Sequence, residues 1–175
     1  RQRLLRRRLR FRRRRGPRTG RAAGAETDGE CGALVLRQER TGALALGATA
    51  VFAPEDLLPE DGLAWAAAAR VSALHLTPTR ARAWIDDAPD GAPRPPLRWT
   101  FFAGEPLTST VVEDWRAAVG GDGRVACIWG TTEVGGSRSW YVVPEQPRPG
   151  RQPIGRPMPH TQLLVLDADD RPCPP

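Results

Sequence analysis

The heptapeptide CIWGTTE (residues 127–133) carries the pattern that decides the fold, and FFAGE (residues 101–105) shows the same pattern earlier in the chain. Each is an apolar run that stops at a glycine, and a polar group follows close behind. A buried parallel strand delivers its carboxyl end to a ligand crevice in this way. We therefore expect two strands of a parallel sheet here, each with its glycine at the end that faces a ligand.

The residues around Gly130 suit a phosphate and its metal ion. Glycine lets backbone approach a ligand closely. Thr132 offers a hydroxyl and Glu133 a neighbouring carboxylate, and Mg²⁺ is a hard cation that takes oxygen ligands. The alternative interpretation is a strand followed by an ordinary polar turn, because short motifs often match by chance.

From residue 41 onward, the sequence alternates short apolar runs with helical patterns. We predict strands and helices in alternation at residues 48–53 (strand), 60–70 (helix), 71–77 (strand), 79–85 (helix), 97–103 (strand), 109–119 (helix) and 124–129 (strand). This order predicts an α/β layered fold with a mostly parallel sheet flanked by helices. Two more strands are expected at residues 139–143 and 161–167, separated by a Pro-rich loop. Residues 22–40 have no clear period.

The basic charge of the chain is concentrated in its first residues. Residues 1–21 hold twelve Arg and no acid, while the remainder holds fourteen Arg and twenty acids, so the net charge of +6 is +12 plus −6. Like charges repel, and few apolar residues are present to offset the cost of ordering. We expect residues 1–40 to be an Arg-rich disordered or mistranslated segment, and residues 41–175 to be the domain. Nucleic-acid binding through phosphate contacts is the less favoured interpretation.

The cysteines and the hydropathy favour a cytoplasmic protein. Cys31, Cys127 and Cys173 are odd in number and far apart, which fits neither a zinc site nor a disulfide framework. The apolar run at residues 42–53 is too short to span a bilayer, so no membrane association is expected.

Five segments, in order, resemble motifs of the adenylate-forming (AMP-binding) superfamily. They are LALGATAVFAP at residues 44–54 (family L-x-x-G-A), SALHLTPT at 72–79 (V-T-x-L-x-x-x-P-S/T), FAGEPL at 102–107 (x-G-G-E-x-L), CIWGTTE at 127–133 (N-x-Y-G-P-T-E), and PIGRP at 153–157 followed by LVLD at 164–167 (P-I-G-R-P … V-L-D). The chain is most similar to the amino-acid adenylation domains of non-ribosomal peptide synthetases. The resemblance covers the middle of the large N-terminal domain of such enzymes.

The resemblance implies an ATP- and Mg²⁺-dependent activity. The family joins AMP to a carboxylate, releases pyrophosphate and passes the acyl group to a thiol of a carrier-protein phosphopantetheine or of coenzyme A. The phosphate loop and the Lys-bearing small domain of the family have no counterpart in residues 41–175, so the chain alone is expected to be inactive. The alternatives are an acyl- or aryl-CoA ligase of the same superfamily and an inactive truncated remnant.

The same resemblance assigns roles in binding ATP. Trp129 is expected to stack on adenine, and Gly104 and Glu105 to lie at the adenine–ribose turn. Thr132 is expected to meet the phosphate and Glu133 to hold Mg²⁺, and these two are the candidate catalytic residues. The remaining candidates for ATP binding are Gly130 and Thr131.

The acyl pocket is implied by the same motifs. Its candidate residues are His75, Phe101, Ala103, Ile128, Gly136 and Ser137. The chain departs from the amino-acid-activating pattern where Cys127 replaces Asn, Trp129 replaces Tyr and Thr131 replaces Pro. Tryptophan can still stack, with more area. The G-T-T-E that results from Thr131 is typical of acyl ligases and favours that alternative. A lone His on a strand, such as His75, is also compatible with a packed core residue.

Overall fold

The computed structural model describes residues 33–35, 47–54, 56–131 and 136–173. For residues 33–35 it describes the backbone course only. Of the predicted Arg-rich segment at residues 1–40, only residues 33–35 are described, so the character of the segment and its boundary stay predictions.

The described strands form one seven-stranded sheet in the order β2-β1-β3-β4-β5-β6-β7. Their bounds are Ala33–Val35 (β1), Thr49–Ala50 (β2), Val71–Leu76 (β3), Trp99–Phe102 (β4), Arg124–Thr131 (β5), Gly136–Val143 (β6) and Arg156–Pro157 (β7). Strands β1 to β5 pair in parallel, whereas β6 and β7 are antiparallel. The predicted α/β fold with a mostly parallel sheet is confirmed.

Helices join the parallel strands, and residues typical of helix ends cap them. A 3₁₀ turn at Pro59–Asp61 leads into α1 (Gly62–Ala68), and α2 (Pro78–Asp86) and α3 (Ser109–Val119) follow β3 and β4. The Thr77 hydroxyl accepts from the Arg80 amide at 3.1 Å and caps α2, and Pro78 occupies its first position. Gly120 ends α3 with a left-handed φ of 100°. Side-chain capping and a C-terminal glycine are the usual helix boundaries.

The core lies between the helices and one face of the sheet. Thr100 and Phe102 of β4 point toward α3, where Trp115 is fully buried. The Trp115 indole donates to the Thr100 hydroxyl at 2.9 Å, and its ring meets Phe102 edge-on at 6.0 Å. Because a buried indole N–H needs a partner, Thr100 is a polar residue that the core requires.

The opposite face of the same strands is less covered. Side chains alternate between faces along a strand, so Trp99 and Phe101 point away from the helices. They stack on each other at 5.5 Å, and the Arg124 guanidinium lies over Trp99 at 5.4 Å. Trp140 of β6 also lies on this face and is 47% exposed. We call this surface the open face.

The predicted strand at residues 161–167 is wrong. The chain turns back there as a short hairpin, in which the Asp167 amide donates to the Arg171 carbonyl at 2.9 Å and the Cys173 amide to the Val165 carbonyl at 2.7 Å. A single bridge joins Leu166 to Pro172, and Val165 is 73% exposed. Since none of the described strands pairs with this segment, its apolar run does not form an extended strand there.

Two strands occur where none was predicted. Strand β1 lies in the stretch without clear period, and β7 lies in the Pro-rich loop. Both are two or three residues long, so neither has a sequence period, and each exists because a long neighbour pairs with it. The predicted strand at residues 48–53 is reduced to Thr49–Ala50.

Candidate functional site

The carboxyl ends of β3, β4 and β5 meet at one edge of the sheet. Leu76 pairs with Phe102, and Phe102 pairs with Cys127. The Ala103 amide continues the ladder by donating to the Leu76 carbonyl at 3.2 Å. Gly104 and Trp129 each come two residues beyond the Phe102–Cys127 pair, so they emerge at the same level. In open parallel sheets this edge is where ligands bind.

The turn after β4 is anchored at both ends. Phe102 and Leu107 are buried, with 0% and 1% exposure, whereas Gly104, Glu105 and Pro106 between them are exposed. Gly104 has a φ of +86°, a conformation that L residues avoid. We call residues 103–106 the Gly104 turn. It projects a short stretch of backbone at the site edge.

Glu105 ties this turn to the start of α2. Its Oε2 accepts hydrogen bonds from the Thr79 amide at 3.0 Å and from the Thr79 hydroxyl at 2.6 Å. The hydrogen bond from the Thr79 hydroxyl is the main reason why the pKa of the Glu105 carboxyl lies below its ordinary value. Burial opposes this shift, while the Thr79 amide and the Thr77 hydroxyl add smaller lowering contributions. Sequence reasoning assigned Glu105 but missed Thr79. The sequence feature that could have identified Thr79 is its position in the first turn of a helix, where unpaired amides attract a carboxylate.

Trp129 presents an accessible indole beside the turn. It is 41% exposed, although it pairs with the fully buried Ser139 of β6. It lies on the same side of β5 as Cys127, beyond the reach of the helices. An exposed aromatic face at a strand end fits the purine of a nucleotide by stacking.

Position 130 must be a glycine because the neighbouring backbone leaves no room for a side chain. It pairs with Ser137 across a shift in register, and a Cβ at this position would lie 2.1 Å from the Gly136 carbonyl oxygen. The sequence interpretation was that this glycine admits a ligand; within the described residues, the backbone that approaches it is β6. Thr131 follows, exposed and opposite Gly136.

The candidate catalytic residues Thr132 and Glu133 lie outside the described residues. Their roles at the phosphate and at Mg²⁺ therefore stay predictions. Among residues 33–35, 47–54, 56–131 and 136–173, no group of three His, Cys, Asp or Glu side chains could hold a metal ion.

Three of the predicted pocket residues share the open face. His75 pairs with Phe101, and Ile128 lies on β5 two residues beyond Ala126, the partner of Phe101. Burial lowers the pKa of the His75 imidazole, which favours its neutral form at pH 7. The Ile128 side chain is buried and pairs with Trp140. The aromatic Trp140 was missed, because its alignment with Ile128 depends on the β5–β6 register.

The other predicted pocket residues lie near the strand ends. Ala103 directly follows β4 and is half-buried. Gly136 and Ser137 begin β6 and pair with Thr131 and Gly130. The structure thus places the pocket candidates in two groups, one on the open face and one at the carboxyl edge.

A comparison with protein families identifies the chain. The family model described as AMP-binding enzyme matches residues 36–175. The chain belongs to the AMP-binding enzyme family. The resemblance seen in the sequence is thereby confirmed. A search of curated proteins found no match.

Three solved structures have a similar fold. IdnL7 is 26% identical with a TM-score of 0.69, and the match covers 82% of this chain and 32% of that one. The Klebsiella oxytoca NpsA N-terminal subdomain, in complex with 3-hydroxybenzoyl-AMSN, is 20% identical with a TM-score of 0.64, covering 84% of this chain and 40% of that one. The Vibrio cholerae adenylation domain AlmE, in complex with glycyl-adenosine-5'-phosphate, is 20% identical with a TM-score of 0.60, covering 80% and 28%.

The chain therefore spans between 28% and 40% of the length of these three proteins. Within the part of the chain that the structure describes, no helix has the length and apolar character needed to cross a membrane.

Proposed function

We propose that the protein containing this chain is an ATP-dependent adenylate-forming ligase. A carboxylate oxygen of the substrate attacks the α-phosphorus of ATP, and the bond to pyrophosphate breaks. The sulfur of a thiol then attacks the acyl carbon of the acyl-adenylate, the bond to AMP breaks, and the thiol loses its proton as the thioester forms. The observation that carries this proposal is the edge where the exposed Trp129 and the Gly104 turn emerge together, two residues beyond the Phe102–Cys127 pair. In-line displacement at phosphorus needs positioned groups and compensated charge more than covalent chemistry from the protein.

The nucleotide is held by the edge residues in this proposal. Trp129 stacks on adenine, while the backbone of the Gly104 turn lies beside the ring. Thr131 and Thr132 meet the phosphates, and Glu133 holds Mg²⁺, which neutralises charge on the phosphates when it is bound. The exposure of the Trp129 indole supports this arrangement, because a buried ring could not stack on a ligand.

The acid is an amino acid with a bulky apolar side chain. The open face supports a large apolar group, since Phe101 and Ile128 line it while Ala103 leaves room at its end. Phosphopantetheine on a carrier-protein domain is the proposed thiol acceptor, with coenzyme A as the alternative. The enzyme is proposed to work in the cytoplasm.

An aryl or other acyl acid is the second candidate substrate. The described strands β3 to β6 contain no Asp or Glu, so none of these strands offers a carboxylate for a substrate ammonium group. The neutral imidazole of His75 could instead hydrogen-bond a ring substituent. The NpsA structure holds a 3-hydroxybenzoyl compound and the AlmE structure a glycyl-adenylate, so the fold accommodates both classes in those proteins.

The test is ATP–pyrophosphate exchange by the full-length protein with a panel of acids. Phenylalanine, leucine, glycine, benzoate and 3-hydroxybenzoate separate the candidates, and we expect exchange with phenylalanine or leucine above that with glycine. Exchange with benzoates alone would establish the second candidate. No exchange with any acid would leave an inactive remnant.

The nucleotide role of Trp129 has a matched pair of variants. Trp129→Ala is expected to raise KM for ATP about tenfold, because base–aromatic stacking contributes roughly 1–3 kcal/mol. Trp129→Phe keeps an aromatic face and is expected to stay close to the wild type. Val165→Ala, an exposed apolar position in the hairpin that pairs Leu166 with Pro172, serves as the control. Equal KM values for ATP in Trp129→Ala and Val165→Ala would contradict the assignment.

A further inference from the structure

We propose that Glu105 is a positioning residue for the nucleotide part of the site, which holds the Gly104 turn in place through its bond to Thr79. This inference rests on the proposed function, since it is the proposed nucleotide that the turn would meet. It assigns a role to Thr79, which the sequence motifs did not assign to the site.

The bond between the two residues joins separate parts of the chain. Glu105 follows β4 and Thr79 follows β3, 26 residues earlier. One carboxylate oxygen accepts from both the amide and the hydroxyl of Thr79, at 3.0 and 2.6 Å. Hydrogen bonds to an ionised acceptor are shorter and stronger than neutral ones, and two donors on one residue also fix its direction.

The position of the exposed part of the Gly104 turn depends on the hydrogen bonds between Glu105 and Thr79. Phe102 and Leu107 anchor the ends of the turn in the core, and the Leu107 carbonyl accepts from the Gln152 amide at 2.8 Å. Gly104 lies against Thr77, since a Cβ built on it would be 3.6 Å from the Thr77 methyl group. Glu105 thus fastens the middle of the turn to the start of α2, close to which Gly104 also lies. The backbone that faces the site edge is held on one side by β4 and on the other by α2.

The contact with Thr79 also places the negative charge of Glu105 where the protein can compensate it. The N-terminus of a helix carries partial positive charge, and Glu105 lies at the N-terminus of α2. A carboxylate that pointed at the phosphates of ATP without such compensation would repel them. The geometry therefore directs the carboxylate toward the protein and leaves the backbone of the turn for the ligand.

The test uses Glu105→Ala, Thr79→Val and their combination in the full-length protein. Thr79→Val removes the hydroxyl with little change in shape, and Thr79→Ser restores it. KM for ATP and kcat are measured by pyrophosphate exchange, and the Kd of a non-hydrolysable ATP analogue by calorimetry. Glu105→Ala is expected to raise KM and Kd for the nucleotide about tenfold, and Thr79→Val, which keeps the amide donor, about threefold, with kcat changed less than about threefold in both. The combination is expected to be no weaker than Glu105→Ala, and Thr79→Ser to match the wild type.

Three outcomes would overturn the inference. If Glu105→Ala weakens nucleotide binding and Thr79→Val binds as tightly as the wild type, the Thr79 hydroxyl does not act through Glu105 and the inference fails. If the two effects add, the residues act independently. If Gly91→Ala, a substitution far from the site edge that strains an open turn, raises KM equally, the effect is a general loss of stability.

The pairing itself is measured without turnover. In isotopically labelled protein, nuclear magnetic resonance titration of the Glu105 carboxylate is expected to give a pKa below the ordinary glutamate value, and Thr79→Val is expected to raise it. An unchanged pKa in Thr79→Val would overturn the inference whatever the activity. A raised pKa in a protein that exchanges no pyrophosphate would remove the proposed function and leave the pairing of Glu105 with Thr79 established.

Discussion

Gly104 and Gly130 end two parallel strands with the same sequence pattern, but the structure requires each glycine for a different reason. Gly104 has a φ of +86°, and a Cβ there would make only ordinary contact with Thr77. Gly130 lies within a strand pair, and a Cβ there would lie 2.1 Å from the Gly136 carbonyl oxygen. Gly104 is needed for its backbone conformation, and Gly130 is needed because no side chain fits there. The two positions therefore differ in how well they tolerate substitution, although they share a motif.

The largest effect is expected at Gly130. Gly130→Ala forces β6 away from β5, and overpacking of this kind is expected to lower the free energy of unfolding by about 3 kcal/mol. Urea unfolding followed by circular dichroism measures it. The control is Gly136→Ala in the facing strand, where φ is +109° but a Cβ would meet nothing within 4 Å. If Gly130→Ala is no less stable than this control, the steric account of Gly130 is wrong.

A smaller effect is expected at Gly104. Gly104→Ala strains a left-handed residue and is expected to cost about 1 kcal/mol of stability. Gly91→Ala is the matched control, because Gly91 has a φ of +75° and open surroundings. The two variants should unfold at similar urea concentrations, while only Gly104→Ala should raise KM for ATP. A loss at Gly104 as large as that at Gly130 would abolish the distinction between the two glycines.

The smallest effect is expected in the pH dependence of stability, and it concerns the Gly104 turn alone. Because the folded-state pKa of Glu105 lies below its ordinary value, its ionised form stabilises the fold. That contribution is present above the unfolded-state pKa and is lost as pH falls through the folded-state pKa. Urea midpoints of the wild type and Glu105→Gln should therefore converge on acidification below the ordinary glutamate range. A constant difference between them at all pH values would contradict the prediction.

Local sequence patterns predicted the fold where elements are long enough to show a period. The predicted helix at residues 109–119 is α3, and the predicted strand at residues 71–77 is β3 less its last residue. Strand β1 was not predicted, because its three residues carry no period and only their neighbours on both sides make them a strand. The apolar residues 164–166 were predicted as strand for the opposite reason, since their pattern is clear but no sheet strand pairs with them.

The candidate site was predictable to the extent that it lies at strand ends. The motif positions of Gly104 and Trp129 follow from their own strands. The bond from Thr79 to Glu105 and the pairing of Ile128 with Trp140 depend on which strands are neighbours and in what register. Such contacts join residues that are far apart in the chain, so no local pattern reveals them.

The alternation of side chains along the antiparallel pair β5 and β6 has an optical consequence. Trp129 and Trp140 are both exposed to solvent but lie on opposite faces of the sheet, whereas Trp99 is half-buried and Trp65, Trp84 and Trp115 are buried. Buried indoles emit at shorter wavelengths than exposed ones, so the red edge of the emission spectrum belongs largely to this exposed pair. A purine stacked on one face would quench the first of them, and an acyl group on the other face would shift the second. The chain thus carries a separate fluorescent reporter for each of its two proposed substrates.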